Sequence, residues 1–109
     1  MSPNLPLPLP AYFKAANAHD IEASVACFAD DAIVRDEGKD IRGSAAIREW
    51  KRRTNALYRT AIEATAVDQV DDKTIVTAQV SGTFPGSPVQ LRYCFRLDGG
   101  KIAALEIGA

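Results

Sequence analysis

One histidine and two cysteines are all this sequence offers to soft or borderline metals. His19 stands alone, and neither Cys27 nor Cys94 has a second Cys or His at ligand spacing, so a structural zinc site and the usual His-rich metal sites are excluded. A single histidine in a turn also excludes a Ser-His-Asp arrangement. There is no glycine-rich phosphate loop, because Asp98-Gly99-Gly100 reads as a hairpin turn. No apolar run approaches the roughly 20 residues that a bilayer-spanning helix needs. The leading Met-Ser-Pro-Asn has neither the positive region nor the apolar core of a signal peptide, which points to a cytoplasmic protein. In that reducing compartment the two cysteines are expected as free thiols. Charge of one sign is also missing. Thirteen basic residues face fourteen acidic ones, a net charge of −1, so nothing draws the chain to nucleic acid or to a membrane surface.

What is there is an ordinary globular composition, 47% apolar and 25% charged over 109 residues. That is enough for one domain with a real core and too little for two. Residues 1–9 read as an extended proline-rich arm, since Pro6, Pro8 and Pro10 remove backbone donors at alternate positions. A first helix is expected from about Pro10 to Ala18, with Pro10 in its first turn and Tyr12, Phe13, Ala15 and Ala16 as its apolar stripe. Asp20 should cap a second helix carrying Ile21, Val25, Phe28 and Ala29 on one face, stopped by Asp30-Asp31. Short strands follow at Ala32–Asp36 and Asp40–Arg42. The longest helix should run from Ser44, as its cap, to Tyr58, with Ala45, Ile47, Trp50, Thr54, Leu57 and Tyr58 inward. The period then becomes alternating. Strands are expected over Arg59–Val70, Lys73–Phe84, Val89–Leu97 and Lys101–Ile107, separated by the turns Asp71-Asp72, Phe84–Pro88 and Asp98–Gly100. Helices first and an antiparallel meander last define an α+β order: three N-terminal helices packed on the concave side of a curved, mostly antiparallel sheet.

Side chains alternate across a strand. In Val89–Leu97 the odd positions are apolar, so Tyr93 should point inward, where a phenol needs a partner or a ligand that supplies one. In Ala32–Asp36 the same rule turns Ala32, Val34 and Asp36 inward. A buried, unpaired carboxylate is costly and its pKa is raised by desolvation, which makes it a candidate general base. In the other reading Asp36 belongs to an exposed polar turn with Glu37 and Lys39. Trp50 and Tyr58, eight apart, share a helix face. They form either core and dimer contacts or an aromatic wall for a flat apolar ligand. His19 reads as an exposed turn residue. Lys51, Arg52 and Arg53 read as a solvated basic face. Arg92 and Arg96 could pair with Glu63 or Glu106 across strands.

Three segments carry a family likeness: Asn17-Ala18-His19-Asp20, Cys27-Phe28-Ala29-Asp30-Asp31-Ala32-Ile33-Val34-Arg35-Asp36, and Arg42-Gly43-Ser44-Ala45-Ala46-Ile47-Arg48-Glu49-Trp50. Together they resemble the SnoaL-like group of the NTF2-like superfamily, which includes ketosteroid isomerases and polyketide cyclases, and the likeness extends from about Tyr12 to Ile107. It implies a cone-shaped fold. The established chemistry of ketosteroid isomerases uses an aspartate base and an oxyanion hole made by a tyrosine and a protonated aspartic acid. By resemblance Asp36 falls at the base and Tyr12 at the oxyanion tyrosine. Tyr93 lies in the segment of the second donor, where the family has an aspartic acid, and Glu37 replaces the proline that usually follows the base. A phenol can donate one hydrogen bond, so Tyr93 is either a second donor or a cavity wall.

The resemblance therefore implies a small-molecule pocket protein, an isomerase or cyclase acting next to a carbonyl, with catalytic candidates Asp36, Tyr12 and Tyr93. Phe28, Val34, Trp50, Tyr58, Phe95 and Leu105 are the expected pocket lining. The ligand would be small and apolar or carbonyl-containing, with no cofactor and no metal. A homodimer through the outer sheet face would use Arg92, Cys94, Arg96 and Glu106. The alternative is a non-catalytic ligand-binding or dimerisation module in which the same cone is filled by its own side chains. Fold likeness by itself does not choose between them.

Overall fold

The computed structural model of the chain describes residues 4–108. Helix α1 spans Leu9–Asn17, α2 Ile21–Ala26 and α3 Ser44–Tyr58; strands are β1 Phe28–Asp36, β2 Lys39–Arg42, β3 Ala61–Val70, β4 Lys73–Ser81, β5 Val89–Asp98 and β6 Lys101–Gly108. The six strands form one sheet in the order β2-β1-β6-β5-β4-β3. All neighbours are antiparallel except β1 and β6, which run parallel.

Two local expectations hold closely. Proline stands in the first turn of α1, and the Asp20 side chain accepts from the Ala23 amide at 3.1 Å to cap α2. Others are corrected. Leu9 lies in α1, completely buried, and not in the arm; residues 1–3 of that arm are outside the described residues. The helices are not three in succession at the N-terminus, because β1 and β2 lie between α2 and α3. Helix α2 ends before Phe28, and Phe28 and Ala29 begin β1. Pairing across the sheet decides this: Ile102 donates to the Cys27 carbonyl at 2.8 Å and Phe28 faces Ile102 in parallel register. A register shift between Phe28 and Ile33 lets the strand carry the exposed Asp30 and Asp31. Ser44 makes no side-chain cap; Gly43, at φ 88°, precedes α3 and its amide donates to the Ala32 carbonyl at 2.9 Å. Ala45 and Leu57 are exposed and do not belong to the buried face of α3.

Helix α3 connects the two edges of the sheet, leaving β2 at one side and entering β3 at the other. Its 15 residues give a length of about 22 Å. Five strand spacings amount to about 24 Å, so one helix of this length can cross the sheet's width. Its far end is held by Gly82. A Cβ there would lie 2.3 Å from the Tyr58 carbonyl oxygen, and the same carbonyl accepts from Thr83 N at 2.8 Å. Only glycine allows β4 to leave the sheet this close to α3, which is why β4 stops at Ser81 before the expected Phe84. Under the helices the core is aromatic and aliphatic. Val34, Ile47, Val76, Ala78, Phe95 and Ile102 are completely buried.

Candidate functional site

Between α1, α3 and the inner sheet face lies a cavity of about 480 Å³, open at its mouth. Tyr12 enters it from α1, Asp36 and Glu37 from the end of β1, and Trp50, Lys51, Thr54 and Tyr58 from α3. Val89, Leu91 and Tyr93 come from β5 and Ile107 from β6, while Phe84 and Pro85 stand in the turn after β4. Tyr58 and Phe84 meet edge to face, ring centres 5.9 Å apart. The volume lies in the range of pockets for small organic ligands, and most of the lining is apolar.

The strand phase places Asp36 as the alternation requires. Ala32 and Val34 are completely buried, and Asp36, two residues on, is half-buried at the cavity wall. It is not unpaired, contrary to expectation. Trp50 Nε1 donates to Asp36 Oδ2 at 3.0 Å. The indole fixes the carboxylate's orientation, and among the described residues Oδ1 has no hydrogen-bond partner. Trp50 is thus both wall and positioning group.

Tyr12 is 1% exposed. Its ring is set edge to face against Phe13, Phe28 and Phe95, with centres 5.4, 5.5 and 5.9 Å away. Lys51 Nζ donates to its oxygen at 3.0 Å. Since that bond occupies a lone pair, the phenol's own hydrogen stays available. Burial first, and then the neighbouring Cys27 and Asp36, push the Tyr12 pKa upward, so the group is a proton-bearing donor at any physiological pH. Tyr93 is 4% exposed, stacked on Phe95 at 6.2 Å and edge-on to Phe13 at 5.7 Å. Its pKa is likewise raised, by burial first and then by Tyr12 and Asp36. Its hydroxyl makes no hydrogen bond among the described residues. No buried side-chain polar atom among them is left sealed without a partner, so this hydroxyl opens on the cavity. The ring lines the space without filling it.

Four residues expected in the lining are elsewhere. Phe28, Val34, Phe95 and Leu105 are between 0% and 3% exposed and sit in the core below the cavity. For Val34 and Phe95 alternation fixed the side of the sheet but not the depth, and depth depends on what α1 covers. His19 bonds to Asn55 through Nδ1 and lies outside the cavity. Among the described residues Arg92 and Arg96 make no ion pair; Glu106 instead approaches Arg35 at 4.0 Å.

Lys51 is the residue the sequence reading misplaced. Arg52 and Arg53 are solvated, but Lys51 turns into the cavity. Its Nζ lies 4.7 Å from the Tyr12 ring centre and 5.2 Å from that of Trp50. The signal was present: position 51 is four after Ile47, three before Thr54 and seven before Tyr58, within the inward stripe. The basic triplet disguised it. Burial brings the Lys51 pKa down from 10.5 to about 8, against the opposing pull of Cys27 and Asp36. Cys27, 8% exposed, has its own pKa raised by burial. Both cysteines are free. Among the described residues no group of three or more His, Cys, Asp or Glu could hold a metal, and no helix is long and apolar enough to cross a membrane.

A curved six-stranded mixed sheet, with three helices enclosing a pocket on its inner face, defines an α+β protein of the NTF2-like fold. Within it the chain belongs to the SnoaL-like family, whose domain model matches residues 9–105. A solved structure from Sinorhizobium meliloti, whose own assignment as a polyketide cyclase is provisional, is 40% identical, with a TM-score of 0.87 and 91% of each chain covered. A protein of ketosteroid isomerase-like fold from Catenulispora acidiphila, solved with trimethylamine, is 22% identical, with a TM-score of 0.82 over 100% of this chain and 87% of that one. The epoxide hydrolase/cyclase-like enzyme SalBIII of salinomycin pyran ring formation is 24% identical, with a TM-score of 0.76 over 92% and 85%. The last two likenesses concern the fold alone. A comparison with curated protein sequences gives no match.

Proposed function

We propose that the cavity binds a small, largely apolar ligand through a carbonyl oxygen and moves a proton at the carbon beside it, as an isomerase or cyclase would. Tyr93 carries this reading: a phenol in an otherwise apolar wall, with no protein partner, needs an acceptor that the ligand brings. A carbonyl oxygen there could also take the free hydrogen of Tyr12. Both donors stay protonated, and their hydrogen bonds strengthen as the oxygen becomes an enolate. Asp36 is the base. Trp50 holds Oδ2 and leaves Oδ1 to accept the proton. The 40% identity to a provisionally assigned polyketide cyclase is consistent with carbonyl chemistry of this kind.

The same reading includes a cytoplasmic, single-domain protein that pairs through its outer sheet face. A depression of about 230 Å³ lined by Ile33, Arg35, Cys94, Arg96 and Glu106 marks that face.

The test is isomerisation of a Δ5-3-ketosteroid, a ligand with an acidic proton beside a ketone. Asp36→Asn should slow turnover between about 100- and 10,000-fold, with ligand binding, followed by Trp50 fluorescence, retained. Equal rates for the variant and the wild type remove Asp36 as the base. Tight binding with no turnover by either protein leaves a non-catalytic binding module.

A further inference from the structure

The proposed proton transfer gives Lys51 no chemical task, yet α3 spends one of its inward positions on it. Among the described residues Lys51 is the only amine in the cavity lining; the chain's other lysines, Lys14, Lys39, Lys73 and Lys101, are exposed. Its stem passes the rings of Tyr12 and Trp50, and its Nζ is held 3.0 Å from the Tyr12 hydroxyl oxygen. Any ligand carbonyl that reaches Tyr12 therefore comes close to this nitrogen.

We propose that Lys51 captures small aldehydes and ketones covalently in the cavity, as an imine on Nζ. The step balances without an oxidant or reductant. The neutral amine's lone pair forms a bond to the carbonyl carbon while the carbonyl π bond breaks, and the oxygen is protonated. Tyr12, hydrogen-bonded to Nζ, stands where it can pass that proton on. The carbon–oxygen bond then breaks and water leaves, carrying away the carbonyl oxygen with the two hydrogens the amine has lost. Desolvation prepares the nucleophile, as it does for buried lysines generally. The drop from 10.5 to about 8 multiplies the free-amine fraction at neutral pH about 300-fold over an exposed lysine. Tyr12 touches Nζ, Asp36 and Cys27 act on it, and the cavity lining also carries Glu37, Tyr58 and Tyr93. Asp36 and Cys27 oppose the drop, and burial outweighs them. The proposal shares the carbonyl-binding part of the function above and does not depend on Asp36 acting as a base.

The experiment is reductive trapping of the intact protein with benzaldehyde and cyanoborohydride, followed by peptide mapping. Apart from the N-terminal α-amine, whose ordinary pKa is itself about 8, the fast adduct should form at Lys51, at least about tenfold faster than at any exposed lysine. Its rate should rise with pH to a midpoint near 8. Lys51→Arg should lose the fast adduct. Adducts spread over Lys14, Lys39, Lys73 and Lys101 with Lys51 no faster overturn the proposal. This site ratio is measured within one wild-type molecule, so it decides the matter even if the variant misfolds. Capture at Lys51 without ketosteroid isomerisation upholds the imine and removes only the proton transfer.

Discussion

The inner and outer faces of the sheet are built from the same strands and alternate residue by residue, yet they treat charge differently. On β1, Val34 and Asp36 face inward while Arg35 faces out; on β5, Tyr93 and Phe95 face inward while Arg92 and Arg96 face out. Outside, Arg35 bonds to Asp40 at 2.8 Å and the pair shifts only in its own favour: that hydrogen bond raises the Arg35 pKa and lowers that of Asp40, both in open solvent. Such pairs contribute little. Arg48 with Glu22, at 2.8 Å, repeats the pattern between α3 and α2. Inside, burial is the largest cause of every shift, upward for Tyr12 and Tyr93 and downward for Lys51. Water holds the outer charges near their ordinary chemistry. Its removal makes the inner groups donors and a weakly basic amine.

The sharpest way to break this contrast is to cut neighbouring residues of β5. Phe95→Ala removes a completely buried ring that supports both Tyr12 and Tyr93, and denaturant unfolding should show a loss of about 3–5 kcal/mol. A loss below about 1 kcal/mol would mean that the aromatic layer is not the core. Lys51→Met sharpens the electrostatic half. Because the folded pKa of about 8 lies below the ordinary 10.5, the unfolded chain binds more protons between those values. Relative to Lys51→Met, wild-type stability should therefore climb as pH rises through that window, by on the order of 1 kcal/mol after allowing for partial hydration, while the raised pKa values of Cys27, Tyr12 and Tyr93 pull both proteins the other way at its upper end. Urea melts of Lys51→Met across the same pH values should lack the climb; an undiminished slope would assign it to another group. The smallest effect is expected one residue from Phe95, on the other face. Arg96→Ala should change unfolding by no more than about 0.5 kcal/mol, and a larger loss in the same denaturant assay would give the outer face a structural role.

Much of the scaffold was legible because its causes are local. The bounds of α3, Ser44–Tyr58, follow from its stripe of inward residues, the cap at Asp20 from its side chain, and the inward phase of Asp36 and Tyr93 from alternation. Val25-Phe28-Ala29 fits a helical face, and only the parallel partner Ile102 makes Phe28 a strand residue. Lys51 was misread because a triplet of cations looks solvated. Its helical phase, four after Ile47 and three before Thr54, is the inward one.

The order of amino acids by itself determined which side of each element is apolar, where most turns fall and that Asp36 and Tyr93 each lie on the apolar side of their own strand, because periodicity is a property of neighbouring residues. Tertiary structure decided what lies deep and what lines the hollow. It set Phe28, Val34, Phe95 and Leu105 beneath the floor, joined Trp50 to Asp36 and Lys51 to Tyr12, and left Tyr93 without a partner. Those outcomes depend on how far water is excluded by segments distant in sequence, and no local pattern encodes that distance.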